Sequence, residues 1–232
     1  MEILRQRFRL EGNDTTPAER QLESPLTMAL RGSCAFSLQP GPLLLHDDAL
    51  KFLQREPRDW SEWKMVSNLP YSVASPILVE LAQSTGCPER MVVTVQREVA
   101  RRILANAEDE DYGLLTLLIQ LRYEPGGCFK VPASCFFPRP DVDSTCMTLL
   151  RRPKPLLTRE QAVTFTKIVK RAFSQRRKMM LKLLREDWPH DRLSRLFTAR
   201  GLAMDVRAER VGLHEFVRLA ELLHPNPDTS HG

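Results

Sequence analysis

The stretch Val66–Val73, with the sequence VSNLPYSV, sets the expected fold of the region around it. Its apolar start is typical of a short strand, and Asn68, Pro70 and Tyr71 end that strand in a loop. Ligands of α/β sheets bind at the carboxyl ends of strands, so Asn68 lies where a bound molecule is expected. Pro70 fixes its own φ and favours an extended Leu69, and the loop is therefore predicted to be stiff.

This loop carries the groups needed to hold a flat ring with an exocyclic amine. The Asn68 amide oxygen and a neighbouring backbone carbonyl could grip both hydrogens of an amine such as adenine N6. A pyramidal nitrogen would then attack a methyl donor, and positioning would supply most of the catalysis. Stacking of the base on Tyr71 would contribute ~1–3 kcal/mol. The alternative is an asparagine turn at a strand end, with Tyr71 in the core.

The segments around this loop alternate between strands and helices. Strands are predicted at Leu43–Leu45 and Arg90–Gln96. The helix after Tyr71 is predicted to have Ser75 as its N-cap and Pro76 at its first position. The later segment YGLLTLLIQLRYE is ambiguous between helix and strand at its end. Strands alternating with helices indicate a layered α/β sheet.

After Pro155 the sequence reads as helices with no strand between them, which places a boundary near residues 153–157. One of these helices is predicted over Ala172–Leu184, as a basic amphipathic helix. The predicted organisation is an atypical segment at 1–42, an α/β domain at 43–154, a helical domain at 155–224 and a tail at 225–232.

The two halves of the chain differ in charge. Residues 112–232 hold 21 Lys and Arg against 12 Asp and Glu, whereas residues 1–111 hold 13 against 17. The net charge of +5 therefore comes from the C-terminal half. A basic half of this kind indicates a polyanionic partner, most simply nucleic acid.

Composition excludes several other classes of protein. The hydrophobic fraction of 42% is that of a globular protein, and no apolar run approaches the ~20 residues of a membrane span. The N-terminus has no apolar signal-peptide core, so a cytoplasmic protein is expected. The five cysteines form no C-x-x-C pair and have no histidine at a ligand-like spacing. They are predicted to be reduced, buried thiols, and no metal site is expected.

A second stiffened loop lies at Cys135–Ser144, with the sequence CFFPRPDVDS. Its two prolines restrict the backbone beside Phe136 and Phe137. A second aromatic ring facing Tyr71 would clamp an extruded base. The alternative is a proline-stiffened loop whose phenylalanines belong to the core.

In combination, these stretches resemble the ribosomal RNA adenine N6,N6-dimethyltransferase family. The resemblance extends over roughly residues 43–223 and follows the family's order of motifs. The segments that carry it are HDDALKF, NLPYSVASPIL, VQREVARRI with YGLLTLLIQ, FFPRPDVDS with AFSQRRK, and the ending GLAMDVRAERVGLHEFVRLAELL.

The resemblance implies a Rossmann-like class I methyltransferase sheet followed by a small all-helical C-terminal domain. It also implies dimethylation of adjacent adenosines in small-subunit rRNA during ribosome biogenesis, with S-adenosylmethionine as the cofactor. Asn68, Leu69 and Pro70 would hold the adenine amine, while Tyr71 and Phe136 would stack on the base.

Further roles follow from the same resemblance. Asp48 would contact the adenine of the cofactor, and Asn68 would also belong to the cofactor site. The implied partners are small-subunit rRNA and pre-ribosomal particles, bound by a monomer. The residues expected to contact the RNA are Arg176, Arg177, Lys178, Lys182 and Arg139.

The sequence departs from the family pattern at its N-terminal end. The family's glycine-rich cofactor loop, of the type E-I-G-P-G-x-G, is absent, and Gly12, Gly32 and Gly41 are isolated. The sheet is therefore expected to be incomplete, with unpaired strands and exposed apolar surface. A wrong start or frameshift, a fragment, and a degenerate homologue all fit this departure. Two functions stay open: a methyltransferase, or a non-catalytic rRNA-binding protein of ribosome assembly.

Overall fold

The structure is a computed structural model that describes residues 35–37, 43–175 and 177–225. Arg176, most of the predicted segment 1–42 and most of the predicted tail at 225–232 therefore lie outside the described residues. The chain divides into two units between Asp48 and Ala49.

The first unit contains a two-stranded antiparallel sheet. Strand β1 (Ala35–Ser37) pairs with β2 (Leu43–Leu45), with Phe36 opposite Leu44. The strand predicted at Leu43–Leu45 is confirmed, whereas β1 was not anticipated. Asp48 ends this unit as an exposed residue, and its backbone N–H donates to Asp47 Oδ1 at 2.8 Å.

The second unit is built on a four-stranded mixed sheet in the order β3-β4-β6-β5. The strands β3 and β4 are parallel, whereas β6 runs antiparallel to both β4 and β5. The mixed sheet with flanking helices confirms the predicted α/β class. The strands of this sheet are β3 (Lys64–Asn68), β4 (Arg90–Gln96), β5 (Tyr123–Val131) and β6 (Ser144–Arg151).

Helices connect the strands of this sheet and cover it. They are α1 (Ala49–Arg55), α2 (Ala74–Gln83), α3 (Arg97–Leu104) and α4 (Leu114–Gln120). The ambiguous segment around Leu114 thus forms a helix first and then continues into β5. The predicted cap of α2 is wrong, because the helix already begins at Ala74. A turn in which the Val73 N–H donates to the Pro70 carbonyl starts the helix earlier, and Ser75 lies inside it.

The region after β6 is helical among the described residues, as predicted. Its helices are α5 (Arg159–Ala172), α6 (Met180–Leu184), α7 (His190–Ala199) and α8 (Leu213–Leu223), with a 3-10 turn at Ala208–Arg210. Thr158 caps α5 by accepting the Gln161 N–H, and the Gln161 side chain accepts the Thr158 N–H in return. The boundary predicted near residues 153–157 stays a prediction.

The continuous basic helix predicted at Ala172–Leu184 is wrong. The helix α5 ends at Ala172, and α6 begins only at Met180. The ring of Phe173 turns inward against Tyr112 and Phe216, with ring centroids 6.1 Å apart in both pairs. Phe173 lies in a turn with its ring packed there, and the described residues between Phe173 and Met180 are in turns, bends or irregular structure.

Two apolar clusters form the core of the second unit. One lies between the sheet and α2, around Leu78, Met91 and Leu149. The other joins the C-terminal helices around Phe165, Phe197 and Phe216. The helix α4 contributes to both clusters, so the sheet region and the helical region share a packed element.

The described cysteines differ from the prediction in their burial. Cys87 is buried, whereas Cys128 and Cys135 are exposed, and all three are free thiols. Within the described residues, no group of three or more potential metal ligands is found. Nor does any described helix have the length and apolar character to cross a bilayer.

Candidate active site at the carboxyl ends of strands β3 and β4

The Asn-Leu-Pro-Tyr loop leaves the sheet where the parallel strands β3 and β4 end. Asn68 is the last residue of β3 and lies opposite Thr94 of β4. The next residue, Leu69, donates its N–H to the Thr94 carbonyl at 3.1 Å, and its side chain is buried in the sheet core. With the turn from Pro70 to Val73 on the other side, the backbone of the loop is held at both ends.

The side chain of Asn68 is exposed at this edge. Among the described residues, its amide has no hydrogen-bond partner, although the neighbouring backbone is firmly paired. An amide carries two donors and an acceptor oxygen. The residue therefore combines a fixed backbone with a polar group that is available to a ligand.

Tyr71 is half-buried and anchored through its hydroxyl group. That hydroxyl lies 2.7 Å from Oγ of Ser144, which is fully buried. Ser144 begins β6 and pairs with Gln96, the last residue of β4. The antiparallel direction of β6 brings its first residue to the edge where β3 and β4 end. The ring of Tyr71 is thus fixed to the sheet 73 residues further along the chain.

The loop of residues 132–143 ends at the same edge and is closed by Asp143. The Asp143 carboxylate accepts the Ala133 N–H at 3.0 Å and pairs with Lys130 Nζ at 2.7 Å. The Asp143 carbonyl accepts the Arg97 N–H at 3.1 Å, which joins the loop to the end of β4. The hydrogen bond from Lys130, followed by that from Ala133, lowers the pKa of the Asp143 carboxyl.

Two aromatic rings lie on this closed loop. Phe136 is half-buried and follows the 3-10 turn Ala133–Cys135, whereas Phe137 is fully exposed. Phe136 therefore lies on the loop that ends at the same sheet edge as Asn68 and Tyr71, and the predicted clamp of Tyr71 and Phe136 around a base stays a prediction. The exposed Arg139 lies on this loop as well.

The expected RNA-contacting residues lie in different elements. Arg177 and Lys178 are exposed in the loop between α5 and α6, where the Lys178 N–H donates to the Gln175 carbonyl at 3.0 Å. Lys182 is exposed on α6, and Arg176 lies outside the described residues. Asp48, expected to contact the cofactor, belongs to the first unit, whereas Asn68 belongs to the second.

Sequence reasoning assigned no role to Asp143 or Ser144, although both lie in the quoted motif. Each is a polar residue at the start of an apolar strand, next to a proline-stiffened loop. A polar residue at this position in the sequence is the signal that could have identified them as part of the site. Their partners, Ala133 and Tyr71, are remote in sequence and follow only from the sheet pairing.

The fold is similar to that of known rRNA methyltransferases. The crystal structure of the 23S rRNA methyltransferase ErmE matches with a TM-score of 0.56 and 26% identity, covering 75% of this chain and 70% of that chain. A dimethyladenosine transferase from Plasmodium falciparum matches with a TM-score of 0.55 and 22% identity, over 67% of this chain and 64% of that chain. The class is therefore that of Rossmann-like methyltransferase folds.

The family itself follows from sequence comparison. The family model described as ribosomal RNA adenine dimethylase matches residues 22–224, and the chain belongs to this family. The match begins before residue 43, where the resemblance had been expected to start.

Curated relatives named ribosomal RNA small subunit methyltransferase A agree with this assignment. The protein from Moorella thermoacetica is 35% identical over 162 residues, which are 69% of this chain and 56% of that protein. The protein from Streptococcus pneumoniae is 37% identical over 166 residues, which are 69% of this chain and 57% of that protein. The matched region thus spans little more than half the length of these relatives.

Proposed function

We propose that this chain transfers methyl groups from S-adenosylmethionine to N6 of adjacent adenosines in small-subunit rRNA. The observation that carries this proposal is the sheet edge where the Asn68 amide has no partner among the described residues and Tyr71 is anchored to Ser144. Family membership and the name of the relatives, ribosomal RNA small subunit methyltransferase A, support the same reaction. The partners would be small-subunit rRNA and pre-ribosomal particles, bound by a monomer in the cytoplasm.

The residues at this edge suit the chemistry of an exocyclic amine. In this proposal, the Asn68 amide oxygen and a backbone carbonyl of Leu69 or Pro70 accept the two hydrogens of adenine N6. Gripping both hydrogens favours a pyramidal nitrogen with a localised lone pair. Tyr71 and Phe136 stack on the base and hold it out of the RNA. Since the backbone on both sides of Asn68 is hydrogen-bonded, these groups are positioned before the substrate arrives.

The cofactor would supply an activated methyl group on a positively charged sulfur. In the described residues, Asn68 fits one contact to it, because its amide has both donors and an acceptor. Asp48 would contribute the contact to the cofactor's adenine. The isolated Gly12, Gly32 and Gly41 lie outside the described residues.

RNA binding would fall to basic groups outside the Asn-Leu-Pro-Tyr loop. In our proposal the helical region 155–224 is the RNA-binding domain, with Arg177, Lys178 and Lys182 as contacts to the RNA backbone. Arg176 would join them, and Arg139 would act from the loop beside Phe136. The excess of positive charge in residues 112–232 supports this division of roles.

A second candidate function is rRNA binding without catalysis, as a ribosome-assembly protein. The observation that favours it is the lack of a glycine-rich motif before residue 43. Such a motif lets the backbone approach a cofactor closely, because glycine has no Cβ. A chain without it could retain the base pocket and the basic surface alone.

Calorimetric titration of the folded chain with S-adenosylmethionine separates these two functions. We expect binding in the micromolar range, followed by methylation of small-subunit particles in a tritium-transfer assay. Absence of heat with a folded chain would overturn the catalytic proposal and leave the binding role.

The Asn68→Ala variant tests the role of the amide within that assay. It should abolish methyl transfer, because one of the two acceptors for the amine is lost, while rRNA affinity changes less than twofold. Methylation at the wild-type rate would refute the assigned role of Asn68.

A further inference from the structure

A basic groove runs along the outer face of α5, between this helix and the ends of α2 and α4. It has a volume of about 710 Å³. The stripe of α5 that lines it carries four cations, Arg159, Lys167, Lys170 and Arg171, and no carboxylate. The opposite stripe of α5 is buried in the core, so the helix has one apolar face and one basic face.

Only part of this charge is neutralised within the chain. Asp187 pairs with Lys167 at 2.9 Å and with Arg171 at 2.6 Å, and it is the one carboxylate among the described residues that line the groove. By contrast, Arg159, Lys170 and Arg122 form no ion pair with any described residue. These three cations face the groove from its two sides, since Arg122 follows α4 at the start of β5.

The groove lies far from the edge that carries Asn68. Arg122 precedes Tyr123, which pairs with Arg151 at the end of β6. Tyr71 is bound to Ser144, at the start of β6. The seven steps along this strand correspond to ~23 Å. A molecule in the groove therefore contacts a surface separate from the candidate active site.

The shape and charge of the groove fit the phosphate backbone of RNA better than a protein segment. Arg159 and Lys170 are separated by eleven helical steps, or ~16 Å, which is a span of several phosphates. Thr166, Gln83 and Ser174 add polar groups between the cations. A protein partner would need a pocket for a buried apolar anchor. Among the described residues of the groove, Val163 is the one large apolar side chain that is strongly exposed.

We propose that this groove binds the backbone of a second rRNA segment, distinct from the segment that carries the target adenosines. The proposal rests on the proposed function, because it assumes that the chain acts on rRNA. Unpaired cations at fixed spacing give affinity without base specificity, by releasing counterions from the phosphates. The groove thus anchors the substrate at a distance from the reacting base.

The test compares two RNA probes with the double variant Arg159→Glu/Lys170→Glu. One probe is the 3′-terminal hairpin of small-subunit rRNA, and the other is the full-length small-subunit rRNA. We expect the variant to bind the full-length RNA at least tenfold more weakly at 0.15 M salt, with the slope of log affinity against log salt reduced by about 1.5–2. Its affinity for the hairpin should change less than twofold.

Matched variants keep the outcome interpretable. Arg195→Glu/Arg207→Glu makes the same change of charge at exposed positions outside the groove and should retain affinity for the full-length RNA. Arg159→Gln/Lys170→Gln repeats the test with a smaller perturbation, should the reversal impair folding. Unchanged binding of the full-length RNA, or an equal loss on both probes, would overturn the inference.

The proposed function can fail separately from this inference. Reversal of Arg177 and Lys178 to Glu should weaken binding of both probes, since these two residues are proposed to contact the RNA backbone of the hairpin as well as that of the full-length RNA. If the wild-type chain binds neither RNA, rRNA binding itself is refuted. If the loop variant weakens binding and the groove variant does not, only the groove assignment is wrong.

Discussion

The hydrogen bond between the Tyr71 hydroxyl group and Ser144 Oγ fixes the ring of Tyr71 at the candidate site. We expect Ser144→Ala to loosen this ring and raise KM for rRNA about fivefold, which corresponds to the ~1 kcal/mol of a typical hydrogen bond. The effect on kcat should be smaller, because the Asn68 amide is untouched. Steady-state kinetics with small-subunit particles measures both constants.

The control for this prediction is the double variant Ser144→Ala/Tyr71→Phe. If the two hydroxyl groups act only on each other, the second substitution should add almost nothing to the first. Additive losses would contradict the coupling, and so would a wild-type KM in Ser144→Ala.

For single residues, the sequence predicts the chemistry of a side chain better than it predicts which residue that side chain will contact. Asn68 could be placed at a strand end because the apolar run stops there and Pro70 follows. The availability of Tyr71 for stacking could not be read from the sequence, because it depends on Ser144, 73 residues away. Such pairs arise from the antiparallel return of β6, which is a property of the sheet.

At the scale of elements, Asp187 joins α5 to the turn after α6. Its side chain is only 12% exposed, and it accepts hydrogen bonds from Arg171 and Lys167. The hydrogen bond from Arg171 is the main cause of its lowered pKa. A carboxyl whose pKa is lowered by folding stabilises the folded state above its unfolded pKa, and this contribution is lost as the pH falls through the folded pKa.

We therefore expect Asp187→Asn to lower the free energy of unfolding by about 1–3 kcal/mol at pH 7. The difference from wild type should shrink as the pH falls from about 4, the pKa of an unfolded aspartate, through the lower pKa of the folded Asp187 carboxyl. Urea unfolding at pH 7 and pH 3 measures it. Glu186→Gln is the matched control, because Glu186 pairs with Arg171 at 54% exposure and should cost less than about 0.5 kcal/mol. A difference that is independent of pH would contradict this account.

The wrong prediction of a continuous helix at Ala172–Leu184 also concerns the scale of elements. Apolar residues continue at helical spacing through this segment because Val169, Ala172, Met180 and Leu184 all enter the same cluster. Periodicity reports which residues are buried, and it does not report whether the chain turns between them. At the turn, the ring of Phe173 packs on Tyr112 from a remote part of the chain.

At the scale of the whole molecule, the sequence predicted the class of fold and the helical C-terminal region. It did not predict how the sheet region and the helices are joined. That junction depends on α4, because its Ile119 packs in the cluster between the sheet and α2, whereas its Leu117 packs in the cluster of the C-terminal helices. A seven-residue apolar helix can face two cores at once, and its sequence alone does not distinguish this from burial in one core.

This shared helix predicts that residues 49–232 unfold as one cooperative unit. The three tryptophans allow a direct measurement, because Trp60 and Trp63 lie by the sheet and Trp188 lies in the helical cluster. Variants that retain either Trp188 or the pair Trp60 and Trp63 should give coincident urea transitions.

Leu117→Ala should lower the free energy of unfolding by about 2–5 kcal/mol as reported by either set of tryptophans, because loss of its fully buried side chain leaves a cavity. Leu114→Ala on the same helix should cost much less, since Leu114 is 36% exposed. Separate transitions, with Leu117→Ala shifting only that of Trp188, would instead mean that the predicted domains at 43–154 and 155–224 fold independently.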